Sequence, residues 1–73
     1  MKKCFSYQQF TLQIELTPLY IVKTITLFKN SQKVETITDA FIITQEKVDK
    51  LKKMLSFFDD KTKNEIKQIL EEF

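Results

Sequence analysis

Apolar and polar residues alternate along the chain from Phe10. The apolar members are Phe10, Leu12, Ile14 and Leu16, and the polar members are Thr11, Gln13 and Glu15. A period of two predicts a half-buried β-strand. Thr17-Pro18 ends it, because proline has no N–H to donate to a neighbouring strand. Upstream, Phe5 and Tyr7 have the opposite parity, so Gln8-Gln9 is either a bulge or the start of the strand.

Two further strands are predicted over residues 19–29 and 33–43, which are rich in β-branched and aromatic residues. Asn30-Ser31 between them suits a two-residue hairpin turn, because asparagine tolerates the left-handed conformation. With this turn Lys29 faces Gln32 and Leu27 faces Val34. The register then predicts one buried face of the sheet, made of Leu12, Ile14, Leu16, Leu19, Ile21, Ile25, Leu27, Val34, Ala40 and Ile42.

After residue 43 the apolar period becomes helical. Thr44 is the predicted N-cap, and Glu46 places a carboxylate in the first turn, where the helix dipole favours it. The apolar stripe of this helix consists of Val48, Leu51, Met54, Leu55, Phe57 and Phe58.

A second helix is predicted to follow. Asp59-Asp60 interrupts the stripe, and Thr62 with Glu65 matches a capping box. The apolar residues of this second helix are Ile66, Ile69, Leu70 and Phe73. One continuous kinked helix is the alternative, since the two stripes are nearly in phase, but a break near residues 59–62 is favoured.

These elements predict a single small α+β domain over residues 1–73: a three-stranded antiparallel meander followed by one or two C-terminal helices packed on one face (β-β-β-α-α). A core of this size seldom supplies more than about 3–5 kcal/mol of stability. The one cysteine, Cys4, permits no disulfide within the chain. The remaining sources of stability are a well-packed core or association with another chain, and a homodimer is one form that such an association takes.

Composition argues against enzyme chemistry, metal sites and cofactors. The chain has no histidine and one thiol, which is too few ligands for a structural zinc. It has no glycine, and phosphate-binding loops need glycine for close backbone approach. The adjacent carboxylates Asp59-Asp60 and Glu71-Glu72 do not face each other on a helix. We expect no catalytic residues, no metal and no cofactor.

The second face of the predicted sheet is the candidate partner surface. The register places Tyr20 and Phe41 there as cross-strand neighbours, together with Val22, Phe28 and Ile37 and with lysines at the rim. The predicted partner-binding residues are Tyr20, Val22, Phe28, Ile37, Phe41, Lys23 and Lys33.

The predicted function is a non-catalytic protein-binding module. All twelve basic residues are lysine, a bias typical of AT-rich genomes, so a phage or mobile-element inhibitor of a host complex that acts by steric occlusion is one hypothesis. The second is a dimeric nucleic-acid-binding protein with Tyr20, Phe28 and Phe41 on bases and Lys23, Lys29 and Lys33 on phosphates. The third is a self-assembling structural protein. No membrane-spanning run is present, and the lone cysteine favours the cytoplasm (the host cytoplasm if phage-encoded).

Overall fold

The computed structural model describes residues 1–70 and has an α+β fold, as predicted. The strands form one antiparallel sheet in the order β1-β2-β3-β4, and two helices follow it. The elements are β1 (Lys2–Tyr7), β2 (Phe10–Leu16), β3 (Val22–Lys29), β4 (Gln32–Ile37), α1 (Gln45–Leu55) and α2 (Asp60–Ile69).

Strand β1 is the main difference from the predicted three-stranded meander. Phe5 and Tyr7 have the opposite parity to β2 because Gln8 and Gln9 form a tight turn, with Gln8 at φ 54°. Tyr7 then pairs with Phe10 and Phe5 with Leu12, so β1 adds an edge to the sheet. Asparagine, aspartate and glycine are the usual residues of such turns, and a Gln-Gln pair gives little sequence signal for one.

A bulge in β4 changes the predicted register of the last hairpin. Lys29 faces Gln32 as predicted, but Phe28 faces Lys33 and Leu27 faces Glu35, so Val34 is an extra residue on its strand. One inserted residue reverses the parity of everything beyond it. Ile37 therefore faces the core and is 2% exposed, whereas the prediction placed it on the opposite face. Val34, predicted in the core, is exposed.

The predicted core is partly confirmed. Its buried members are Leu12, Ile14, Leu16, Ile25, Leu27 and Ala40. The exposed members, apart from Val34, are Leu19, Ile21 and Ile42. These three lie in loops, because β3 begins only at Val22 and β4 ends at Ile37 rather than at residue 43.

The helices follow the predicted pattern, with one corrected cap. Thr44 caps α1 by accepting a hydrogen bond from the Lys47 backbone N–H at 3.2 Å. The break lies at residues 56–59, slightly earlier than predicted, and α2 is capped by Asp59 instead of Thr62. Asp59 Oδ1 accepts a hydrogen bond from the Thr62 backbone N–H at 3.2 Å. The predicted capping box Thr62–Glu65 is therefore wrong, because the N-cap lies three residues earlier.

Both helices cover one face of the sheet. Apolar side chains of α1 and α2 join those of the sheet in one core, whose helical members are Leu51, Met54, Leu55, Phe58, Ile66 and Leu70. Lys50 of α1 forms an ion pair with Glu35 of β4 at 3.1 Å. Phe73, predicted on the second helix, lies outside the described residues.

The other face of the sheet is uncovered and mainly polar. By the observed register its residues are Lys2, Cys4, Ser6, Thr11, Gln13, Glu15, Thr24, Thr26, Phe28, Lys33 and Thr36. Ser6 and Thr11 share a hydrogen bond between their hydroxyl oxygens at 3.1 Å. Phe28 is the one aromatic residue on this face, so it is not the partly apolar surface that the sequence predicted.

Candidate interaction surface

The sheet has two ends of different construction. Because consecutive strands are antiparallel, the connections alternate between the ends. The turn end carries the two tight turns at residues 8–9 and 30–31. The loop end carries two longer segments, residues 17–21 between β2 and β3 and residues 38–44 between β4 and α1. The Ala40 backbone N–H donates to the Lys23 carbonyl at 2.9 Å and joins the second loop to the start of β3.

Exposed apolar side chains are concentrated at the loop end. Nine large apolar residues are exposed among the described residues, and all but Val34 and Phe57 lie at this end. We call these residues the loop-end patch: Met1, Leu19, Tyr20, Ile21, Phe41, Ile42 and Ile43. Single exposed apolar residues are common on protein surfaces, but seven at one end of the molecule make that end the candidate interaction surface.

The first loop is held by hydrogen bonds centred on Thr17. Its backbone N–H donates to the Ile21 carbonyl at 2.9 Å, and its carbonyl accepts from the Tyr20 N–H at 2.9 Å. Its hydroxyl oxygen accepts from the backbone N–H groups of Leu19 and Ile21. The loop is thereby closed on itself, and the side chain of Leu19 remains 81% exposed.

The second loop is fixed from three sides. Ala40 is buried and anchors the middle of the loop. The Lys47 ammonium donates to the carbonyls of Asp39 and Ile42 at 2.8 and 2.9 Å. Thr44 fixes the last residue of the loop as the N-cap of α1. The backbone of this loop is therefore hydrogen-bonded to the sheet and to α1, while its apolar side chains Phe41, Ile42 and Ile43 are exposed.

Tyr20 has a strained backbone at the tip of the first loop. Its φ is 62°, in the left-handed region. Asparagine and glycine occupy this region at little cost, whereas a bulky residue there is unusual and costs about 1–2 kcal/mol. Its ring is 70% exposed, so packing within the chain does not account for the residue. Backbone strain of this kind is concentrated at functional sites.

Charges around the loop-end patch are of both signs. The lysines at this end are Lys2, Lys3, Lys23 and Lys47, and the acidic residues are Glu15, Asp39 and Glu46. Lys2 lies opposite Glu15 in the β1–β2 pair, and the Lys47 ammonium donates to backbone carbonyls. The described residue with a shifted pKa is remote from the patch: hydrogen bonding from the Thr62 side chain lowers the pKa of Asp59. The patch offers hydrophobic contact with a mixed-charge rim and presents no cluster of one sign.

The structure divides the sequence-predicted site residues into three groups. Tyr20, Lys23 and Phe41 lie at the loop end, but Tyr20 and Phe41 are in loops and do not face each other across strands. Val22 and Phe28 are partly buried on β3, and Lys33 is next to the turn end. Ile37 is in the core, as the bulge at Val34 requires.

Besides Met1, four members of the loop-end patch were not predicted as contact residues: Leu19, Ile21 and Ile42 were assigned to the core, and Ile43 to the end of a strand. A signal for the first pair existed in Thr17-Pro18, because a chain that leaves a strand at proline needs several residues before it can pair again. For the second pair the signal was Thr38-Asp39, which interrupts the run after Ile37. No sequence signal predicts that these four aliphatic side chains are exposed, because aliphatic residues are usually buried.

No cation site or membrane span is found among residues 1–70. Within that range no group of three or more His, Cys, Asp or Glu side chains is arranged to hold a metal ion. No helix there is both long and apolar enough to cross a membrane. A cleft of about 320 Å³ between β4 and α1 is lined by Thr36, Ile37, Thr38, Thr44, Glu46, Lys47 and Lys50.

Comparison with known proteins identifies no family. No protein-family model matches the chain. The search of curated proteins and the search of solved structures each found no match.

Proposed function

We propose that this chain is a protein-binding module whose contact surface is the loop-end patch. The observation that carries the proposal is the combination of seven exposed apolar side chains at one end with backbone loops that are closed by hydrogen bonds. Aromatic residues and a polar rim are typical of protein–protein interfaces. Fixed loops reduce the entropy that is lost when a surface is ordered on binding.

The shape of the patch favours a different protein as partner over a second copy. Leu19 and Tyr20 are the most exposed large apolar side chains and project from a loop tip. Projecting side chains are complementary to an apolar groove in the partner. The cleft between β4 and α1 is lined by lysine, glutamate and threonine with one isoleucine, and the open cleft between β1 and α2 has Lys3, Glu65 and Gln68 beside Phe5 and Ile69, so neither is a mainly apolar groove. We therefore propose a heterologous partner with an apolar groove, into which Leu19, Tyr20 and Phe41 insert.

The electrostatic surroundings distinguish this partner from a nucleic acid. Nucleic-acid binding depends on lysine or arginine groups that contact phosphates. Here Lys23 lies at the loop end and Lys29 and Lys33 lie near the turn end. Tyr20, Phe28 and Phe41 belong to three different elements, so they do not form the stacking face that a nucleic-acid-binding sheet uses. No observation favours the nucleic-acid hypothesis over protein binding.

Steric occlusion of a host complex is a finer proposal that rests on composition and on this surface together. A rigid apolar end that inserts into a groove would act by covering that groove. The phage or mobile-element origin and the cytoplasmic location remain proposals based on the lysine bias and the single cysteine.

Capture from a lysate of the encoding organism tests the proposal. Wild type is compared with Tyr20→Glu and Phe41→Glu, each of which puts a charge into the apolar contact. Val34→Glu is the matched control, because Val34 is also exposed and apolar but lies outside the patch. We expect one protein to be retained by wild type and by Val34→Glu, and lost with both loop variants. Binding of the recombinant candidate should then weaken by about 10-fold or more for each loop variant, as for interface anchors.

Two results would overturn the proposal. One is a partner that both folded loop variants retain as well as wild type does. The other is a complex with mixed oligonucleotides whose affinity falls steeply with salt, the signature of phosphate contacts. Circular dichroism of each variant separates loss of binding from loss of fold.

A further inference from the structure

Strand β1 is an open edge of the sheet, and the direction of its outward backbone groups follows from one hydrogen-bonded pair. The Leu16 backbone N–H donates to the Met1 carbonyl at 2.7 Å, so Met1 and Leu16 form a bonded pair. Bonded pairs alternate along an antiparallel ladder. The backbone N–H and C=O groups of residues 1, 3, 5 and 7 therefore point toward β2, and those of Lys2, Cys4 and Ser6 point away from the sheet.

The two edges of the sheet differ in how well they are protected. Strand β4 is interrupted by the bulge at Val34, and the Lys50 ammonium donates to the Thr36 carbonyl at 3.3 Å. Bulges and covering side chains are the usual means of preventing edge-to-edge pairing. Strand β1 pairs with β2 over all six of its residues with no register shift. It offers a second strand a regular template.

We propose that β1 pairs antiparallel with β1 of a second copy, with Cys4 opposite Cys4 on the two-fold axis. In this register Lys2, Cys4 and Ser6 face Ser6, Cys4 and Lys2 of the second copy. Each residue whose backbone N–H and C=O point outward then belongs to a hydrogen-bonded pair with the second copy. A register shifted by two residues in either direction would lose one such pair. The proposal is independent of the loop-end function, since it uses a different part of the molecule.

Side chains are compatible with this register on both faces. On the open face Lys2 lies opposite Ser6 of the second copy, and on the helix face Lys3 lies opposite Phe5 of the second copy. No two lysines are directly opposed, which matters because directly opposed like charges destabilise a strand pair. Phe5 and Ile69 are partly buried beside an open cleft of about 550 Å³ between β1 and α2, which a second copy would cover.

Proline at Cys4 tests the pairing selectively. The Cys4 N–H points outward, so Cys4→Pro removes a hydrogen bond to the second copy without removing one to β2. Cys4→Ser is the matched control, because it keeps the N–H. We expect a dimer by sedimentation under reducing conditions for wild type and Cys4→Ser. Cys4→Pro, which deletes two ladder bonds per dimer, should bind its copy about 10-fold more weakly or worse.

A cross-link supplies a second, variant-free measurement. The chain has one thiol, so a short bis-maleimide can join two wild-type chains only through Cys4. We expect cross-linking that increases with protein concentration and stops when the chain is diluted below its dimer dissociation constant. This experiment keeps the proposal testable if Cys4→Pro fails to fold.

Three results would overturn the edge-pairing proposal. They are a wild-type monomer at high micromolar concentration with no cross-linked dimer, a folded Cys4→Pro chain that dimerises like wild type, and a dimer that Tyr20→Glu and Phe41→Glu dissociate. The last result would show that copies join through the loop-end patch. It would count against the heterologous partner as well, whereas the first two leave the proposed function unaffected.

Discussion

The turn end and the loop end of the sheet contain similar apolar side chains that are used differently. At the turn end Phe10 stacks on Phe57 with ring centroids 4.5 Å apart, and Phe58 lies 6.5 Å from Phe10. The Lys29 ammonium lies 5.8 Å from the centre of the Phe10 ring. At the loop end Phe41 and its two isoleucine neighbours are exposed.

Connection length accounts for much of this difference. At the turn end, the two-residue turns at Gln8-Gln9 and Asn30-Ser31 connect the strands with no additional residues. The break between the helices places aromatic rings over Phe10. At the loop end, residues 17–21 and 38–44 extend beyond the last strand pairs. Helix α1 contacts the second loop through the Lys47 ammonium, which binds backbone carbonyls and leaves the large apolar side chains of that loop exposed. Hydrophobicity alone therefore does not assign a residue to the core, because the length of the connection that carries the residue also decides whether it is buried.

The largest expected effect is on stability at the turn end. Phe58 is 4% exposed, and Phe58→Ala should lower the free energy of unfolding by about 3–5 kcal/mol because it leaves a cavity. A core of this size supplies little more stability than that loss, so urea titration followed by circular dichroism should show that the variant is largely unfolded. Phe41→Ala is the loop-end counterpart and should change stability by no more than about 0.5 kcal/mol. Equal losses in the two variants would contradict the distinction between the ends.

A smaller effect of opposite sign is expected at Tyr20. Tyr20→Asn should raise the free energy of unfolding by about 0.5–1 kcal/mol, because asparagine accepts the left-handed backbone with less strain. The same variant should weaken partner binding by removing the ring. Asn30, already in that conformation, provides the control: Asn30→Ala should destabilise. A Tyr20→Asn chain less stable than wild type would show that the ring supports the fold.

The smallest effect concerns pH at the turn end. The pKa of Asp59 is lowered from its ordinary value of 3.8 by hydrogen bonding from the Thr62 side chain, with the Thr62 backbone N–H contributing. A lowered pKa means that the cap stabilises α2 above pH 3.8 and that this contribution is lost as the pH falls through the lower folded-state value. Amide exchange in the first turn of α2 should therefore accelerate in strong acid while the loop-end amides of Tyr20 and Ala40 change less.

Asp59→Asn supplies the control for this pH effect. Asparagine can cap a helix but does not titrate. The first turn of α2 in that variant should exchange at a rate that is insensitive to pH once the intrinsic exchange rate is divided out. An unchanged acid response would assign it to another carboxylate.

The sequence was informative wherever one period continued over several residues. The alternation of β2, the N-cap at Thr44 and the helical stripe of Leu51, Leu55 and Phe58 are confirmed. Strand β1 was missed because Gln8-Gln9 lacks the usual turn residues. The candidate site moved from the sheet face to the loop end because β3 and β4 are shorter than predicted, which places Tyr20 and Phe41 in loops. The bulge at Val34 buries Ile37 and exposes Val34. The sequence does not predict this bulge, because both registers satisfy local β propensity.

The direction of β1 sets the valency of any assembly built on it. Strand β1 starts at the loop end, where Met1 is bonded to Leu16. An antiparallel second copy would start at the opposite end, so the two loop-end patches would point away from each other. Such a pair would be a ditopic linker, because it would bind two partner molecules, one at each end, instead of one molecule at two sites. The yield of bridged complexes would rise and then fall as the linker is titrated past its partner, because excess linker occupies each partner singly.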